Sequence, residues 1–184
     1  MIDPKKVSAV LVTKGGRDVA SIRERLSVFG QVIVWNNAAG IDEKVFGRYL
    51  GVLQATCDHV YVQDDDCLID VERLCAEYRP DEVLCNVLPS HAPFYGARRM
   101  SLVGWGSIFP KTAVNFDPYL WKFASDELFK RECDRVFTRL NWLRIRVVDI
   151  GVEHLPWAHG DDRMGREARH GNDLEVITQR LAVL

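Results

Sequence analysis

Three consecutive aspartates, Asp64, Asp65 and Asp66, follow the apolar run His59-Val60-Tyr61-Val62-Gln63. Adjacent carboxylates repel one another, and that repulsion raises the energy of a fold that holds them together. A divalent cation relieves it. Hard cations such as Mg2+ and Mn2+ prefer carboxylate oxygen and commonly take one or two carboxylates together with substrate phosphates. The triplet therefore points to a metal-bound diphosphate. The same residue type also serves in ordinary solvated turns and helix caps, so the functional reading rests on what lies beside it.

Apolar periodicity sets the neighbours. Val7 to Val12 reads as a buried strand, followed by Val19, Ile22, Leu26 and Phe29 at helical spacing with Asp18 placed to cap. Val32-Ile33-Val34-Trp35 is a second strand, and Val45, Tyr49, Val52 and Leu53 mark a second helix. His59 to Gln63 is the third strand, Val71, Leu74, Cys75 and Tyr78 a third helix, and Val83 to Leu88 a fourth strand. This alternation predicts an α/β protein with a mostly parallel central sheet and right-handed crossovers. Beyond it, Pro89 to Met100 reads as a loop, and Leu102 to Phe109 as a strand interrupted by Gly104 and Gly106. Phe129, Cys133, Val136, Phe137 and Leu140 form a helical stripe, Arg144 to Ile150 alternates as a strand, and Leu174 to Leu184 suggests a closing helix.

Ligands of open parallel sheets bind beyond the carboxyl ends of the strands. Thr13, Lys14, Gly15, Gly16 and Arg17 follow the first strand, Asn36 and Asn37 the second, and the aspartates the third. One edge would then offer amides and cations for phosphate, side-chain amides for a base or ribose, and carboxylates for a metal. Gly15-Gly16 is part of neither G-x-G-x-x-G nor a P-loop, and each residue alone also fits a plain turn or helix start. Their joint placement favours a nucleoside diphosphate.

Thr13 with Arg17, Val34-Trp35-Asn36-Asn37, and the aspartate triplet after an apolar strand together resemble the glycosyltransferases of GT-A fold, most of all the exostosin-type catalytic domain. The likeness is good over residues 7 to 70 and looser beyond, where Gly104-Trp105-Gly106 and Asp126-Glu127 fall in order. It implies a Rossmann-like single domain over residues 1–184, with a nucleotide-sugar half (7–88) and an acceptor half (89–184) ending in a lid and helix. It implies a UDP- or GDP-type sugar donor held through Mn2+ or Mg2+. Carried over, Asp66 is a direct metal ligand, and Asp64 contacts metal or ribose. Thr13, Lys14, Arg17, Asn36, Asn37, Asp64 and Asp65 would line the nucleotide pocket. Asp126 and Glu127 would face the acceptor, as base or as stabiliser of the sugar cation. Ser125-Asp126-Glu127 is equally ordinary helix-start chemistry. A C-terminal histidine would join the metal, with His170 favoured over His159 and His154. Arg163, in the polar stretch Gly160 to His170, would reach phosphate as that stretch folds over. Trp105 would offer a sugar-stacking face, or serve as a core ring beside strand-bulge glycines.

Bulk properties narrow the alternatives. The 184 residues carry a net charge of -2 and no broad basic field, which argues against nonspecific nucleic-acid binding. No apolar run approaches membrane-spanning length. The first residues, Met1 to Lys6, contain no apolar stretch of signal-peptide length, and the five cysteines show no C-x-x-C spacing, so reduced thiols in a cytoplasm are expected. Two other readings stay open. Sugar nucleotidyltransferases use a related sheet and metal, but the chain lacks their glycine-rich basic loop. A noncatalytic nucleotide-sugar-binding domain would suit a chain with little room for an acceptor subdomain.

Overall fold

The computed structural model describes residues 1–91, 103–114 and 127–155, with positions 176 and 179 in addition. Asp126, His159, Arg163 and His170 lie outside these residues, as do the expected lid stretch 160–170 and nearly all of the expected closing helix.

The described chain is α/β. Its strands and helices are β1 (Val7–Thr13), α1 (Ala20–Leu26), β2 (Gln31–Asn36), α2 (Gly47–Leu53), β3 (His59–Asp64), β4 (Cys67–Leu68), α3 (Val71–Glu77), β5 (Glu82–Asn86), β6 (Ser107–Pro110), α4 (Glu127–Leu140), β7 (Arg144–Val148) and β8 (Glu153–His154). Six strands form one sheet in the order β2-β1-β3-β6-β5-β7, and β4 pairs with β8 in a separate ribbon. β1 runs parallel to β2 and β3, and β5 parallel to β7. β6 is antiparallel to both β3 and β5, so five strands share one direction and β6 opposes them.

β1 is buried along its whole length, which is why it reads as an unbroken apolar run rather than an alternation. Its alternate residues serve two cores. Val10 packs with Val62, Phe46, Tyr49, Phe129 and Phe137 on one face, the face that α2 and α4 cover. Val7, Ala9 and Leu11 pack with Ile22, Leu26, Leu74 and Tyr78 on the other, under α1 and α3.

The helix expectations need local correction. Asp18 accepts from the Ala20 amide at 2.8 Å, one residue ahead of the N-cap position, which Val19 occupies without a side-chain bond. Asp70 caps α3 by accepting from the Arg73 amide at 3.0 Å. Leu53 and Leu140, read as members of buried stripes, are exposed. Both end their helices, where the apolar face runs out. The strand expected over Leu102 to Phe109 begins only at Ser107, because Val103–Trp105 form a 3-10 turn. Gly106, at φ +89°, then redirects the chain into β6. No helix of the described residues is long and apolar enough to cross a membrane. None of the five cysteines is in a disulfide.

Candidate functional site

The carboxyl ends of β1, β2 and β3 coincide in space. Thr13 lies opposite Asn36, and Val12 opposite Asp64. β6 enters the sheet at Ser107, opposite Val62, so the turn over Val103–Trp105 sits at the same edge. Asn86, fully buried at the end of β5, ties that turn down. Its Nδ2 donates to the carbonyls of Trp105 at 3.1 Å and Gly151 at 2.9 Å, and its Oδ1 accepts from the Ile150 amide.

The three aspartates, alike in sequence, have three different environments. Asp64 closes β3, and its Oδ1 accepts from Arg48 Nη2 at 2.5 Å. Asp65 is a strut. Its Oδ2 accepts from Thr13 Oγ1 at 2.6 Å and from the Lys14 amide at 3.4 Å, and its carbonyl accepts from Arg17 Nη1 at 3.0 Å. Thr13 Oγ1 in turn accepts from the Gly15 amide at 3.0 Å, and Gly15 and Gly16 both take positive φ in that turn. Asp66 keeps a buried carboxylate oxygen, Oδ1, without a hydrogen-bond partner. Its backbone carbonyl accepts from the Leu155 amide at 2.8 Å, and its side chain meets the Cys67 thiol. Burial pushes the Asp66 carboxyl above the usual range; Asp64 and Asp65 push it further, while Arg17 and His154 ease it back.

The remaining expected residues divide. Lys14 is exposed and Arg17 partly buried at the same edge. Asn36 is exposed, and its Oδ1 accepts from the Ala38 amide at 2.9 Å, which leaves its Nδ2 at the rim. Asn37 is buried and committed to its own loop. Its Oδ1 accepts from Trp35 Nε1 and the Glu43 amide, each at 3.1 Å, and its Nδ2 donates to the Lys44 carbonyl at 2.9 Å. Trp105 is partly buried, with His91 and His154 edge-on at ring-centroid distances of 4.8 and 5.2 Å. His154, in β8 opposite Cys67, is the described C-terminal histidine that stands beside the aspartates. Glu127 opens α4 with an exposed side chain, 3.7 Å from Lys130 Nζ.

Sequence reading missed Arg48. Its side chain is fully buried, with Nη1 donating to Asp134 Oδ2 at 2.6 Å and Nη2 to Asp64. Tyr49 adds a hydroxyl donated to Asp134 Oδ1 at 2.8 Å. Burial opposes the charge of Arg48, yet Asp134 and Asp64 hold the guanidinium more firmly protonated than in water. A signal existed. Arg48 lies three residues after Val45 and four before Val52, on the inner stripe of its helix, and Asp134 lies three before Phe137. A charge at a core position needs a partner.

The residues fit a hard cation by donor chemistry, since Asp66 Oδ1 is a buried oxygen lacking a donor and Asp64 is bonded through Oδ1 alone. Among the described residues no group of three or more His, Cys, Asp and Glu side chains is arranged as a ready-made metal cage. Any cation would therefore keep water or ligand oxygens in its remaining positions, as Mg2+ and Mn2+ sites usually do. A separate apolar hollow of about 40 Å³ lies under α4, lined by Phe46, Tyr49, Phe129 and Phe137 among others; it carries no charged group. No known family model matches the chain, and no curated protein is similar to it.

Proposed function

We propose that the chain is a GT-A-type glycosyltransferase that takes a UDP- or GDP-linked sugar at the carboxyl edge of its sheet, with Mn2+ or Mg2+ at Asp64 and Asp66. The observation that carries this reading is Asp66 Oδ1, a buried carboxylate oxygen with no donor beside two further aspartates. An acceptor so placed is costly unless something positive meets it. When bound, the cation would offset the charge that builds on the leaving diphosphate.

The chain's own residues have separable tasks in this reading. Asp65 holds the loop from Thr13 to Arg17 against the triplet and contacts no ligand with its Oδ2. Lys14 and Arg17 bring positive charge to the phosphates. Asn36 Nδ2 meets the ribose or base at the rim, whereas Asn37 shapes the loop behind it. Trp105 lines the sugar side, edge-on to His91 and His154. Asp126 or Glu127 supplies the acid–base or charge-stabilising carboxylate for the acceptor.

The test is thermal unfolding of the full chain with UDP, GDP and their sugar conjugates, with and without Mn2+. A ligand at 100 times its dissociation constant stabilises by about 2.7 kcal/mol. Asp66→Ala should abolish the Mn2+-dependent part. Nucleoside diphosphate released from the sugar donor establishes glycosyl transfer or donor hydrolysis, and pyrophosphate release would instead indicate nucleotidyl transfer. Stabilisation without turnover would leave a binding domain. Equal stabilisation of wild type and Asp66→Ala with Mn2+ would end the metal assignment.

A further inference from the structure

Resting on that reading, we propose that Asp134 is a positioning residue for the cation site, acting through Arg48 on Asp64. The guanidinium offers two terminal nitrogens, and each takes a different carboxylate: Nη1 meets Asp134 Oδ2 at 2.6 Å and Nη2 meets Asp64 Oδ1 at 2.5 Å. Guanidinium and carboxylate pair preferentially as a two-pronged fork. With Asp134 holding Nη1, and Nε buried without a partner, Asp64 is bonded through a single oxygen, and Oδ2 stays outside the ion pair. Without Asp134, the freed prong would compete for Oδ2 and draw Asp64 away from a cation.

Charge acts in the same direction. Arg48 is buried with a side-chain exposure of 1%, so its positive charge is poorly screened by water. One arginine between two aspartates leaves the trio with a net negative charge, which favours a divalent cation. Neutralising Asp134 would leave the trio without net charge. Tyr49 fixes the other oxygen of Asp134 at 2.8 Å, so the carboxylate cannot swing out of the pair. Arg48, Tyr49 and Asp134 were not expected at the site, and through Asp134 α4 joins the aspartate turn.

Titration of the full chain with Mn2+ alone, followed by loss of the free-ion electron paramagnetic resonance signal, tests this. Asp134→Asn should weaken Mn2+ binding by about 10- to 100-fold, the usual effect of removing a partner of a metal-binding carboxylate. Asp134→Glu keeps the charge and should recover most of the affinity, even where its unfolding temperature falls as far. Equal Mn2+ affinity in wild type and Asp134→Asn would overturn the inference and leave the cation site standing. Equal losses in the Asn and Glu variants would make Asp134 a packing residue only, which also overturns it. Failure of the wild type to bind Mn2+ would remove the cation site itself. Should Asp134→Asn not fold, Tyr49→Phe decides: loosening the carboxylate should weaken Mn2+ binding, and unchanged affinity would count against the positioning role.

Discussion

Gly104 and Asp64 are packed so closely that a Cβ on the glycine would stand 2.1 Å from Asp64 Oδ2. The same Cβ would lie 3.2 Å from Arg48 Nη2. The carboxylate cannot yield freely, because Arg48 holds its other oxygen. The turn before β6 therefore owes its glycine to the site, and not to the strand bulge that sequence spacing suggested.

Gly104→Ala should accordingly destabilise the fold by about 1–3 kcal/mol, the range for forcing a methyl into a packed region. It should also displace Asp64 and reduce any Mn2+-dependent stabilisation. Urea unfolding with and without Mn2+ measures both effects. A variant as stable as wild type, with its Mn2+ response intact, would show that the contact relaxes at no cost.

Removal of Arg48 tests the network from its centre. Arg48→Met should cost about 3 kcal/mol, the lower end of the range for stripping one partner from a buried ion pair, since both carboxylates keep some contact with water. Pairing it with Asp134→Leu should cost less than the sum of the two single changes, because the second change removes a charge that the first left unpaired. Strict additivity in denaturant unfolding would mean that the two side chains do not depend on each other.

The parts of this fold that sequence revealed were those with one dominant periodicity. Val7 to Val12 and His59 to Gln63 are apolar because both faces of their strands are covered, and a continuous apolar run announces that directly. The convergence of Thr13, Asn36 and Asp64 followed from parallel strands alone. Three things were not legible. The direction of β6 was hidden, because four residues carry no mark of orientation. The different roles of Asp64, Asp65 and Asp66 were hidden, because they arise from Arg48, Thr13 and burial, all distant in sequence. Arg48 itself was overlooked because a charged residue on a short helix reads as solvated unless its position on the inner stripe is weighed.

Asp66 gives the protein a distinctive pH dependence. Its carboxyl titrates above the ordinary value of 3.8 in the fold. Between that value and the raised one, the folded state holds a proton that the unfolded state has lost. The contribution of Asp66 to stability is therefore fullest below 3.8 and is lost as pH rises through the folded value. Asp66→Asn should then be more stable than wild type at neutral pH, with the advantage shrinking as the medium is acidified through that window. Urea midpoints at constant m-value report the difference. An advantage independent of pH would show that Asp66 is not the group under strain.

Asn37 tests loop architecture apart from the proposed nucleotide contact. Its side chain satisfies the Trp35 indole N–H, the Glu43 amide and the Lys44 carbonyl. Lys44 takes a positive φ of 52° there, a conformation that a non-glycine residue holds only when its surroundings enforce it. Asn37→Ala would leave these partners without their bonds where they are shielded from water, at about 1–3 kcal/mol for each group that water cannot reach. Trp35 would also lose its anchor above Gly47, whose Cβ position lies 2.3 Å from the indole ring. The expected result is a fall in unfolding free energy of about 2 kcal/mol, with nucleotide affinity changed much less than by Asn36→Ala. The two affinities should be compared well below the unfolding temperature of either variant, so that the folded fraction is equal. If Asn37→Ala instead loses nucleotide binding while keeping its stability, the side chain turns toward the ligand, and the loop is held by its backbone alone.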